Sequence, residues 1–140
     1  MALPNGAGGY QLGDGNISEV QISTQAAPAT ATATATVSAT LTAAQLANGI
    51  ILGSPGTSAA SYTLPTVADL EVLVSSAKVN SCFDFSVVNV DGSGGGVITL
   101  VTNTGWSLVG LMTVVATAGT AQAFRAVKTG DGSWSLYRIA

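Results

Sequence analysis

The run Cys82-Phe83-Asp84-Phe85-Ser86-Val87-Val88-Asn89 alternates from residue to residue. Phe83, Phe85 and Val87 fall on one side, and Cys82, Asp84, Ser86 and Val88 on the other. A period of two is the mark of a half-buried strand. Beyond it, short apolar runs at 97–101, 106–109, 112–116, 121–128 and 133–139 are cut by Gly, Asn and Asp at 91–96, 103–105, 119–120 and 130–132. Short strands with turns every 8–12 residues or so predict a mainly β fold, an antiparallel sandwich or barrel of jelly-roll-like kind. Residues 81–140 read as its core sheet block, with the first eighty as attachments.

The attachments differ in character. Residues 1–15 are rich in Gly around isolated apolar anchors, Leu3, Tyr10 and Leu12. They suit either a frayed tail or an extended arm that orders on a neighbour. Ile17, Val20 and Ile22 alternate loosely with polar residues as a short strand candidate. Residues 1–24 are therefore taken as an extended N-terminal arm, and 25–140 as a single β domain. The tract Ala29-Thr30-Ala31-Thr32-Ala33-Thr34-Ala35-Thr36 is either a flexible linker or a strand with one Ala face and one Thr face. As a strand, its small Ala face, Ala31, Ala33 and Ala35 ending at Val37, is a candidate oligomer interface. Its register is poorly specified, because a two-residue slip looks the same.

Residues 41–46 admit one helical turn with Thr42 as cap. Gly49 to Gly53 and Tyr62-Thr63-Leu64 read as short strands, the second stopped by Pro65. Residues 66–77 form the one well-signalled helix. Thr66 is its N-cap, Asp69 stands at the acid position of a capping box, and Leu70, Leu73, Val74 and Ala77 make an apolar face. This helix is expected to plug one end of the β core.

Charge decides which functions are open. Only 8% of residues are charged, against about 25% usually. None lies between Glu19 and Asp69, nor between Asp91 and Arg125. A chain so poor in charge is expected to hide much of its surface against copies of itself or a partner. Lys78, Arg125, Lys128 and Arg138 are scattered and make no stripe for phosphates, so nucleic acid is not an expected partner. No apolar run reaches the length of a membrane span. Residues 1–5 lack a basic n-region, so no signal peptide is read. One cysteine, Cys82, permits no internal disulfide and fits a reducing compartment at assembly.

The chain contains no His. That removes the usual neutral-pH base, Ser-His and Cys-His pairs, and most zinc and copper sites. Cys82 is expected as a small core or interface residue, and Asp84 as a solvent-facing or interface acid bonded to a neighbouring strand. Asp91-Gly92-Ser93-Gly94-Gly95-Gly96 lacks the ending of a phosphate loop and reads as a turn. Gly13-Asp14-Gly15 and Gly130-Asp131-Gly132 do not cluster acids as a calcium loop does. The aromatics are expected to pack inward. No enzyme activity, cofactor or metal is expected; a hydrolase working through Asp84 or Asp131 is the residual alternative.

Gly9-Tyr10-Gln11-Leu12-Gly13-Asp14-Gly15-Asn16, then Tyr62-Thr63-Leu64-Pro65 with its helix, Asp84-Phe85-Ser86-Val87-Val88-Asn89, and Gly132-Ser133-Trp134-Ser135-Leu136-Tyr137-Arg138 follow in that order. The order resembles small decoration (cement) proteins on the heads of tailed bacteriophages. The resemblance implies a homotrimer on the outer surface of the virion capsid, made in the bacterial cytoplasm, which bridges adjacent major capsid protein subunits and stabilises the shell. Leu3, Tyr10, Leu12, Ile17 and Val20 of the arm would then be the capsid-binding anchors. Phage tail-fibre or adhesin modules that bind host glycans use similar Gly/Thr/Val-rich strands and are the alternative.

Overall fold

A computed structural model describes residues 27–31, 39–91 and 95–140. The arm anchors Leu3, Tyr10, Leu12, Ile17 and Val20 lie outside the described residues, as do Ala33, Ala35 and Val37 and the centre of the 91–96 turn. The described elements are β1 (Ala29–Ala31), β2 (Ala39–Thr40), α1 (Ala43–Ala47), β3 (Ile50–Gly53), β4 (Ala60–Thr63), α2 (Val67–Leu73), β5 (Cys82–Asn89), β6 (Ile98–Val101), β7 (Trp106–Val109), β8 (Thr113–Val114), β9 (Thr120–Gly130) and β10 (Ser133–Arg138). The chain is mainly β. Its strands form a six-stranded sheet, β1-β3-β5-β9-β10-β7, and a four-stranded sheet, β2-β4-β6-β8. Side chains of both sheets share one core, an arrangement consistent with a β-sandwich.

Both sheets are mixed, which corrects the antiparallel expectation. β1, β3 and β5 pair in parallel, as do β2, β4 and β6, and β7 with β10. Among the described residues, antiparallel pairing is confined to β5 with β9, β9 with β10, and β6 with β8. The reason lies in the route of the chain. From β1 to β6 it crosses from one sheet to the other at every step, so each strand lands beside the strand two before it. Ala29 lies beside Ile51 and Ile51 beside Val87 in one sheet; Ala39 lies beside Tyr62 and Tyr62 beside Leu100 in the other. Each crossing supplies the long connection that parallel strands require. Turn spacing along the chain reports where strands stop, not which strands they meet.

This winding also places residues before 81 inside the core rather than around it. Leu41, Leu46, Ile51, Tyr62, Leu64 and Leu70 are buried with Phe85, Val87, Phe124, Trp134 and Leu136. Among the described residues the turn admitted at 41–46 is a second short helix beside α2, and the same device starts both. The Thr42 hydroxyl of α1 accepts from Gln45 N at 3.1 Å, while Gln45 Oε1 accepts from Thr42 N at 2.9 Å, a full capping box. At α2, Thr66 Oγ1 accepts from Asp69 N at 3.1 Å and donates to Asp69 Oδ2 at 2.7 Å. α2 stops at Leu73, with Val74 as C-cap at φ −111°, ψ 50°. Its buried residues are Val67 and Leu70, and Leu73 is exposed. Of the expected face, Leu70 is buried and Val74 and Ala77, beyond the end of the helix, pack against the core, while Leu73 turns outward.

Gly105 locks three pieces together. Its φ is +92°, and a Cβ there would sit 2.6 Å from Val67 Cβ and 2.7 Å from Gly132 O. Beside it, Trp106 Nε1 donates to Pro65 O at 2.8 Å. The start of β7, the entry to α2 and the β9–β10 turn therefore meet at a point too tight for any side chain.

Candidate interaction surface

The reactive side chains are engaged with one another. Arg125 Nε and Nη2 donate to the two carboxylate oxygens of Asp84 at 2.7 and 2.8 Å, between neighbouring strands β5 and β9. This fork-on-fork bonding holds the Asp84 carboxyl below its ordinary range and raises the guanidinium. Asp84 is thus the exposed acid bonded to a neighbouring strand that its position predicts, and it stays ionised where a general acid would need a proton. Asp131 is fully exposed, 3.6 Å from Lys128 Nζ. Cys82 is exposed on the outward side of β5, which removes the core from the two places expected for it and leaves the interface. Among the described residues, no three His, Cys, Asp or Glu side chains gather as metal ligands. No helix there is long and apolar enough to cross a membrane.

Lys128 is a buried charge that alternation alone does not reveal. Its side chain is 7% exposed and is bonded to Glu71 of α2, 57 residues away. The second Glu71 oxygen accepts from Gly132 N at 2.7 Å. The Lys128 hydrogen bond is the main cause of a lowered Glu71 pKa, and the same bond raises Lys128. The pair fastens α2 to the β9–β10 hairpin. A lysine in the middle of an apolar strand is the signal that some distant acid must meet it.

What remains for contact with other molecules is apolar surface. The outer face of the six-stranded sheet carries a continuous row across four strands: Asp84 beside Arg125, Arg125 beside Tyr137, and Tyr137 beside Val109. Next to it run Ile50, Ser86 and Ala123, then Leu52, Val88 and Ala121. Except for the internally paired Asp84 and Arg125, these rows are uncharged. At the β7 side, Val109, Leu111, Tyr137 and Ile139 are 48%, 65%, 37% and 47% exposed. A second patch follows the α2 exit, where Val72, Leu73 and Val79 are exposed. It borders a groove of about 370 Å³ lined by Ala47, Val74, Ala77, Cys82, Phe83 and Trp134. Val90 and Val115 form a third at the opposite end of β5, where buried Asn89 donates to Gly96 O and Val115 O at 2.8 and 3.0 Å.

The described aromatics follow expectation with one exception. Phe85, Trp106, Phe124 and Trp134 are buried, and Phe83 packs against Phe85 and Trp134. Tyr137 faces out. Of the residues expected at an oligomer interface, Ala31 ends β1, at the margin of the six-stranded sheet. The exposed set Val109, Leu111, Tyr137 and Ile139 is new. Its sequence signal is the absence of any charge from 92 to 124 across a chain segment that cannot all be core. Comparison with protein-family models, with curated proteins and with solved structures finds no match.

Proposed function

We propose that the protein is a structural head-decoration (cement) protein of a tailed bacteriophage. In this reading it sits as a homotrimer on the outside of the assembled capsid and bridges major capsid protein subunits. The observation that carries a covered, structural role is the uncharged aliphatic outer surface. Val72, Val109, Leu111 and Ile139 stand in solvent, and the nearest charges of the large sheet face are already paired with each other. Contiguous apolar surface of this kind marks a site of contact with another molecule. The specific assignment to phage heads draws on the order of motifs given above. The mechanism is thermodynamic: a protein that binds only the assembled lattice stabilises that state by mass action, through many weak sites per shell. The reading that the chain binds host glycans has less support, because the described aromatics other than Tyr137 are turned into the core or packed on it.

The test compares heads with and without the protein. Decorated heads are expected to retain their genome to a higher temperature, and the purified chain to cosediment with heads. Equal heat tolerance refutes the stabilising role. Removal of residues 1–16 is expected to weaken head binding while leaving the far-UV circular dichroism of the β domain unchanged; equal binding refutes the arm assignment.

A further inference from the structure

The six-stranded sheet ends in two margins, β1 and β7, and among the described residues each pairs on one side only. Natural proteins guard sheet margins with lysine, proline, bulges or a covering element. β7 shows none of these: Trp106-Ser107-Leu108-Val109 is uncharged, and Gly110 and Leu111 follow it. The apolar patch beside it is continuous. Val109 lies next to Tyr137 and Ile139 follows β10, while Arg138, whose Nη1 donates to Leu111 O at 3.3 Å, is a charge beside them. Left bare, this margin is a template for pairing with another chain.

The occupant it fits is a neutral strand with small side chains, which leaves room for Val109, Leu111 and Tyr137. β1 of another copy is such a strand. It reads Ala29-Thr30-Ala31 and lies within the uncharged stretch between Glu19 and Asp69. Strand direction agrees. β1, β3, β5, β10 and β7 all run the same way, and β9 alone opposes them. Copies related by rotation about an axis along the strands therefore bring β1 of one parallel to β7 of the next. Two different patches meeting in this way make a heterologous contact, which closes into a ring when the rotation permits.

We infer that the β7–β10 margin is an interface between copies of this chain, and that it receives β1 of the neighbouring copy as a continuing parallel strand. The inference rests on the self-association in the reading above and names its surface; it does not depend on binding to heads. The first test uses the full chain without heads. Val109→Lys with Leu111→Lys is compared with Ala68→Lys on α2, an exposed control outside the apolar patches, by sedimentation velocity at micromolar concentration. The wild type and the control are expected to sediment as oligomers. The double variant is expected at the single-chain mass of 13.8 kDa with unchanged circular dichroism. A double variant that keeps the wild-type mass, or a wild type that is itself a single chain, overturns the inference. The second test works in a Cys82→Ser background. Val109→Cys is combined in turn with Ala29→Cys, Thr30→Cys and Ala31→Cys, then mildly oxidised. At least one pair is expected to give covalent oligomers that end at a closed size. Yields no higher than those of the single-cysteine variants overturn it. Oligomers that fail to bind heads refute the head-decoration reading and leave this interface standing; head binding by a chain whose edge variant stays assembled does the reverse.

Discussion

Gly105→Ala is expected to destabilise the fold far more than the same change at Gly119. Both glycines have positive φ, +92° and +83°. An L-residue in that region costs about 1–2 kcal/mol, partly offset by about 0.4–1 kcal/mol because alanine restricts the unfolded chain. That leaves roughly 1 kcal/mol at either site. At Gly119 nothing lies within 4 Å of the added carbon, so the account ends there. At Gly105 the carbon meets Val67 Cβ at 2.6 Å and Gly132 O at 2.7 Å. Neither is the tip of a flexible side chain, so α2 and the β9–β10 turn must separate, and overpacking of this kind costs about 1–3 kcal/mol more. The difference between the variants is therefore about 2 kcal/mol. For a chain of 140 residues that is roughly 6–8 °C in Tm. Calorimetry at one fixed protein concentration measures it, since self-association shifts Tm. Equal losses in the two variants refute the claim that packing at the Val67–Gly105–Gly132 junction is tight.

Other outcomes follow from single bonds. Trp106→Phe removes the donor to Pro65 O and leaves a buried carbonyl unpaired; a loss of about 1–3 kcal/mol is expected in urea unfolding. Thr42→Ala and Thr66→Ala each delete an N-cap and are expected to cost about 1 kcal/mol apiece by the same assay. For pH, Glu71 and Asp84 have lowered pKa values in the fold. Their contribution is present above the ordinary carboxylate range near 4 and is lost as pH falls through the lower folded values. Lys128 is raised, so its contribution is present below about 10.4 and lost as pH rises through the higher folded value. Tm is thus expected to be flat in between and to fall at both ends. Lys128→Met with Glu71→Leu is expected to shrink the alkaline fall to the part set by Tyr62, whose phenol pKa is raised by burial; an undiminished fall refutes the role given to Lys128.

Local rules made part of this fold legible. The alternation of Phe83, Phe85 and Val87 marks the buried side of β5, and Thr66 with Asp69 marks the start of α2, because both signals lie within a few residues. The parallel winding was not legible from turn spacing, yet a signal for it exists. Thr40-Leu41-Thr42-Ala43-Ala44-Gln45-Leu46 repeats in Thr63-Leu64-Pro65-Thr66-Val67-Ala68-Asp69-Leu70, apart from the inserted proline. Thr40 pairs with Thr63, and both segments then place a Thr cap and a buried Leu. The strand marks that Lys128 needs an acid, but nothing local names Glu71, since the pairing depends on how α2 returns to the hairpin. The surface was read only in outline: scarcity of charge foretold covered area, while the patch at Val109 and Tyr137 needed the β7–β10 register.

The position of β10 has a consequence for how the chain reaches this state. β10 lies between β9 and β7 in the sheet, although β7 precedes both in sequence. Whatever order the other strands follow, β7 finds no place in its sheet until residues 133–138 have inserted beside it. Folding intermediates that lack this last insertion carry an aliphatic strand with both sides open, the kind of species most prone to capture by a foreign strand. Substitutions in β10 should therefore be felt first as a lower yield of refolded protein, before any loss in the stability of the molecules that succeed.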